Sequence, residues 1–241
     1  MAKILFRAVV VLMLFAVPAL ATEKFANENE LMTWVTHYYQ HPEPKVVEKA
    51  VKDAQELKVL QNTRYQPVMA GFFAGLFQTN KDLRQPIADL NASFPQVDRH
   101  AILRGLFLSS KKDGEPAPLV AEPLAKNPDK NPAKISPITI YNLWGYFYAT
   151  GDEVAVKRVI ETLPWSTLKE EEIKKIQNDK ERAEKTLQWQ VGGTAKRTLI
   201  DHASRYPDVM AICKKELPNQ PPEVKAILQE VISQAEAGSV R

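Results

Sequence analysis

Residues 140–152 read IYNLWGYFYATGD. Ile140, Trp144 and Tyr148 fall four apart, as do Leu143 and Phe147, so two adjacent rows of large apolar side chains line one side of a helix. Gly151 suits the left-handed residue that ends a helix, and Asp152 suits the cap of the next one. A connection this short forces an antiparallel helical hairpin.

The same device occurs twice upstream. Gly145-Tyr146-Phe147-Tyr148-Ala149-Thr150 aligns with Gly105-Leu106-Phe107-Leu108-Ser109-Ser110 and with Gly75-Leu76-Phe77-Gln78-Thr79-Asn80, at spacings of 40 and 30 residues. Val68-Phe72-Leu76 beside Met69-Phe73-Phe77, and Ile102-Leu106 beside Leu103-Phe107, supply matching double rows. A glycine inside a helix costs about 1 kcal/mol against alanine, so its recurrence points to helices in close approach. Hairpins repeated every 30–40 residues are the mark of an α-solenoid of tetratricopeptide or HEAT type. The plainer reading is an irregular bundle of aromatic helices. The expectation is an all-α fold of stacked antiparallel helical hairpins, a single domain over 22–241.

Outside these copies the periodicity stays helical. Pro44 fits the first turn of a helix carrying Val47, Val51 and Ala54. Leu83, Ile87 and Leu90 mark another helix, in which Pro86 is tolerable only in the first turn. Val156, Val159, Ile160 and Leu163 follow, and Val224, Ile227, Leu228, Val231 and Ala235 close the chain. No Asn-Gly or Asp-Gly hairpin turn is present. Residues 111–136 contain Pro116, Pro118, Pro123, Pro128 and Pro132, which permits no long helix and predicts a long Pro-rich loop. Leu119, Val120 and Leu124 are its apolar residues, suited either to pinning it in a groove or to a plain spacer. Lys169–Lys185 holds six basic and six acidic residues among seventeen, with Glu170–Lys174, Glu171–Lys175 and Glu181–Lys185 at i, i+4, and reads as a solvated helix. Gly192-Gly193 reads as a hinge or a close helix contact.

The N-terminus reads as an address. Lys3 and Arg7 precede the apolar run Ala8–Val17 (AVVVLMLFAV); Pro18 and Ala19-Leu20-Ala21 then supply the pattern that signal peptidase cleaves, after Ala21. Ten apolar residues are too few to span a bilayer, which takes about 20. Removal of residues 1–21 leaves thirty basic against twenty-nine acidic side chains. That near-balance argues against a nucleic-acid partner. A periplasmic or secreted protein with no transmembrane span after cleavage is the expectation.

Chemistry is sparsely signalled. One cysteine in 241 residues rules out a disulfide framework, and Cys213 shares a face with Val209 and Leu217, which predicts burial. His37 and His41 have metal-ligand spacing, but Pro42 biases His41 out of the helix. Asp98-Arg99-His100 and Asp201-His202 are carboxylate–imidazole neighbours that a helix does not turn towards each other. No G-x-S-x-G, G-x-G-x-x-G or phosphate-loop pattern occurs. No cofactor, metal or catalytic residue is therefore assigned. The candidates for a binding surface are Trp144, Tyr146 (which falls off both apolar rows), Tyr38 and Tyr39 near Trp34, and His100.

The run Asn142–Asp152 (NLWGYFYATGD), together with Trp34–Tyr39 (WVTHYY), resembles segments of uncharacterised exported all-helical bacterial proteins of helical-repeat type. The resemblance covers under a tenth of the chain. It implies export and helical architecture, and no activity. The function expected is an exported scaffold that binds a protein or peptide of the envelope or extracellular space. The alternatives are a hydrolase of an envelope polymer, using carboxylates in a groove or His100/His202 in a cleft, and a small-ligand carrier using the Trp144 region.

Overall fold

The computed structural model describes residues 24–109, 120 and 135–238. The expected signal segment lies outside the described residues, as does the Pro-rich segment apart from Val120 and residues 135–136. Among the described residues every regular element is helical: α1 Glu28–His37, α2 Val47–Glu56, α3 Gln66–Thr79, α4 Arg84–Ser93, α5 His100–Ser109, α6 Pro137–Thr150, α7 Glu153–Glu161, the short α8 Glu170–Ile173, α9 Asp179–Arg205, α10 Pro207–Glu216 and α11 Pro222–Gly238. None of these helices is long and apolar enough to cross a membrane.

The core is built around α3. Its residues Met69 to Phe77 are all buried, as an apolar helix surrounded by neighbours must be. α6 packs along one side, burying every residue from Thr139 to Ala149 except Tyr141. Gly71 of α3 meets Asn142, and Gly75 meets Ala149 and Thr150, so contacts advance together along the two helices and they run parallel. Two glycines make the approach possible. A Cβ on Gly71 would stand 1.9 Å from the Asn142 carbonyl oxygen, and one on Gly145 would stand 1.9 Å from that of Val68. The backbones thus touch where any side chain would force them apart.

The opposite side of α3, made by Ala70, Phe73 and Ala74, receives α5 through Gly105, whose added Cβ would lie 2.5 Å from Phe73 Cβ. The three Gly-x-Phe helices therefore lie together in the spatial order α5–α3–α6. A stack in chain order would place α5 between the other two. The all-α class holds; this packing order does not establish a stack of hairpins. Of the α5 double row only Ile102 is fully buried, while Leu103 and Phe107 are 52% and 76% exposed on an outer face.

The link after α6 is as the sequence predicts. Gly151 has φ +66°, and the Asp152 carboxylate accepts the Val154 N–H at 2.9 Å to start α7. Pro86 falls in the first turn of α4. On the N-terminal side Trp34 and Tyr38 set their rings edge-on to Phe72, which fastens α1 to α3. The C-terminal helices gather about α9, a continuous helix of 27 residues. Gly192 is a close contact, not a hinge: its Cβ would meet Ser166 N and Trp165 C at 2.3 Å, in the turn Leu163–Thr167. The charged run Lys169–Lys185 is not one helix. It breaks after α8 and restarts at Asp179, where the Asn178 side chain caps Glu181 N–H at 3.0 Å. The Lys174–Glu170 pair forms at 2.6 Å. Buried Cys213 has its thiol pushed up to about 12 by desolvation, which suits an inert core thiol. Val120 is buried and its carbonyl accepts from Arg158 Nε and Nη2, both at 3.2 Å.

Candidate functional site

α6 has a second side, and there it meets α9 without the close backbone contact it makes with α3. Trp144 Nε1 donates to Thr198 Oγ1 at 2.9 Å, and that hydroxyl donates on to the Thr194 carbonyl at 2.9 Å. One turn along, the His202 imidazole lies flat on Trp144, with ring centroids 3.9 Å apart and planes 16° from parallel. His202 Nδ1 lies 2.6 Å from the Thr198 carbonyl and so carries the hydrogen. Nε2 is thereby left as the acceptor, and the Tyr148 hydroxyl donates to it.

Desolvation decides the protonation of this pair. Burial pulls the His202 imidazole down to about 4, against smaller upward pulls from Thr198 and Asp201. Burial likewise pushes the Tyr148 phenol well above its usual value. The imidazole is neutral and the phenol protonated near neutrality, with both polar ends satisfied by each other. Neither is poised as a base or nucleophile.

These three rings form the floor of a groove of about 820 Å³. One wall is α1, through Asn29, Met32, Thr33 and Thr36; another is the entry to α3, through Thr63, Arg64, Tyr65, Pro67 and Val68. The start of α6 contributes Pro137, Ile138 and Tyr141, and the end of α9 contributes Asp201, Arg205 and Tyr206. Ile138 is 47% exposed, an aliphatic side chain presented at the edge. The lining holds one carboxylate, Asp201, and Arg205 Nη2 binds it at 2.7 Å. A volume of this size, with aromatic and aliphatic side chains interleaved with threonines and a few charged groups, has the size of a binding site. Among the described residues it offers no pair of carboxylates for glycoside hydrolysis.

Of the five residues singled out from sequence, only Trp144 lines this groove. Tyr146 is buried and its hydroxyl donates to Gln78 Oε1 at 2.7 Å; burial pushes its phenol up to about 12. Tyr38 is buried against Trp34 and Phe72, with its phenol raised to about 12 by burial. Tyr39 lies against Phe147 and Gly151 and donates to Asp208 Oδ2 at 2.9 Å. His100 is exposed at the start of α5, outside the groove lining. His41 lies beyond α1 at φ −139°, so it shares no helical face with His37. Tyr141, Arg64 and Tyr65 are among the lining residues that sequence reading missed. Tyr141 carried a weak signal, as a large residue of 140–148 that, like Tyr146, joins neither apolar row; Arg64 and Tyr65 carried none, because their place depends on how α3 meets α1.

Comparison with protein-family models, curated proteins and solved structures finds no match for this chain.

Proposed function

We propose that the chain is a binding protein whose groove between α1, α3, α6 and α9 holds a short extended segment of a partner peptide or protein. The observation that carries this is the groove itself: an aromatic floor whose polar atoms are internally satisfied, under walls of Thr, Tyr, Pro and Ile side chains. Over that rigid, buried floor the half-buried rings of Tyr65, Tyr141 and Tyr206 and the exposed Ile138 present apolar area. A platform with little conformational freedom left to lose is how peptide-binding grooves gain affinity. In this reading the Gly-x-Phe helices, stacked hairpins or not, are the rigid platform behind the groove, and the protein works in the envelope or extracellular space after cleavage at Ala21.

Photo-cross-linking tests the proposal. A benzophenone amino acid replaces Ile138 at the groove edge or Leu103 on the outer face of α5, and each variant is illuminated in an envelope extract. Discrete adducts from position 138 that are weak or missing from 103 are the expected result. Adducts from 103 alone would move the binding surface to α5 and overturn the groove reading.

A further inference from the structure

Among the described residues of the groove, the side chains that bind anions are already engaged, with one exception. Arg205 is held by Asp201 at 2.7 Å. His202 is buried, neutral and bonded at both nitrogens. Of the two helix starts that open on the groove, α6 is capped and α3 is interrupted by proline. Ser136 and Thr139 form a reciprocal capping box at α6, with Ser136 N–H donating to Thr139 Oγ1 at 3.2 Å. At α3 the Asn62 side chain takes the Arg64 N–H at 3.0 Å, and Pro67 has no N–H to give.

Arg64 is the exception. Its side chain is exposed on the groove wall, and its guanidinium lies 5.8 Å from the Tyr65 ring centroid. Among the described residues it is in no ion pair; the Glu28 carboxylate takes the Tyr65 hydroxyl at 3.4 Å. A guanidinium resting against an aromatic ring keeps its fork of N–H donors free for a planar carboxylate.

Resting on the peptide-binding reading above, we infer that the groove selects a peptide carrying an Asp or Glu side chain among apolar residues, with Arg64 as the specificity-determining contact. A chain-terminal carboxylate fits less well. Such groups are captured by rows of free backbone N–H groups, whereas here Ser136 caps the start of α6, and at α3 the Gln66 N–H is taken by the Asn62 carbonyl and Pro67 interrupts the row.

The test uses the full protein, fluorescently labelled, on a positional-scanning library of acetylated hexapeptide amides, in which every carboxylate belongs to a side chain. A parallel library ends in a free carboxylate. The expected result is that Glu or Asp at one position raises affinity about tenfold over Gln or Asn there. Arg64→Gln abolishes that preference, yet still binds the Gln peptides, and Arg64→Lys restores part of it. The preference weakens as salt rises. Equal binding of Glu and Gln peptides, or a preference that survives Arg64→Gln, overturns the inference and leaves the groove reading standing. A gain confined to the free-acid library also overturns it, in favour of terminus capture. Failure of every apolar hexapeptide to bind either form overturns both readings together.

Discussion

The two sides of α6 are built on opposite plans. Towards α3 the contact is backbone on backbone: Gly71 and Gly145 leave no room for a Cβ, and the Tyr146 phenol that reaches Gln78 there is pushed up to about 12 by burial, so it keeps its proton across the acid and neutral range. Towards α9 it is rings and hydroxyls: Trp144 to Thr198, Tyr148 to His202, and a groove left open above them. A seam of the first kind has one geometry or none, because close-packed interiors tolerate little adjustment. A seam of the second kind depends on hydrogen bonds and on a protonation state, and so responds to mutation and pH in graded steps. The difference teaches how one helix serves both as a fixed platform and as the wall of a site.

Gly145→Ala strikes the rigid seam and should have the largest effect. The added carbon has to displace a backbone carbonyl, not a flexible side-chain end, so we expect a loss of about 3 kcal/mol or more in urea unfolding. An unchanged midpoint would mean that α3 and α6 separate easily, and the contrast between the sides would collapse.

Acid strikes the other side. The unfolded His202 takes up a proton near its ordinary 6.5, whereas the folded imidazole stays neutral down to about 4. The unfolded state therefore binds more protons in that window, and stability falls as pH drops through it, by an amount of the order of 3 kcal/mol in all. His202→Asn, which does not titrate, should flatten this segment of the stability–pH curve. A curve with the same slope in both proteins would remove His202 from the account.

Thr198→Val leaves the buried Trp144 N–H without an acceptor while keeping the side chain's shape. A loss of about 1–3 kcal/mol is expected, largely recovered in Thr198→Ser. The smallest effect belongs to Gly193, on the same helix as the groove wall. An added Cβ there meets nothing within 4 Å. Gly193→Ala should raise stability by about 0.5–1 kcal/mol, while Gly192→Ala lowers it, as thermal unfolding would register.

Much of the rigid side was legible in the sequence. Paired apolar rows at 140–148 and 68–77 announced two buried helices, and glycines within them announced close approach. Gly151 and Asp152 announced the hairpin. What the pattern lacked was spatial order. Three similar helices can lie side by side in several sequences, and the choice of α3 as the centre follows from shape complementarity at Gly71, Gly105 and Gly145, which local periodicity does not encode. The α5 rows show the same limit: Leu103 and Phe107 have the spacing of core residues and yet face outwards. The groove was less legible still. Trp144 was found because it is large and apolar, but its partner His202, 58 positions further along the chain, stood as a neighbour of Asp201 and a hydrolase candidate, with nothing to link it to Trp144. Tyr146 was marked because it left the apolar rows, and it left them to reach Gln78.

Amide hydrogen exchange at pH 7 and pH 4.5, corrected for intrinsic rates, tests the two-sided account of α6 most directly. It predicts that protection falls selectively on acidification over the last three turns of α9, from Thr194 to Arg205, while Met69–Phe77 of α3 keeps its protection. Equal loss along both helices, or no loss at α9, would contradict it.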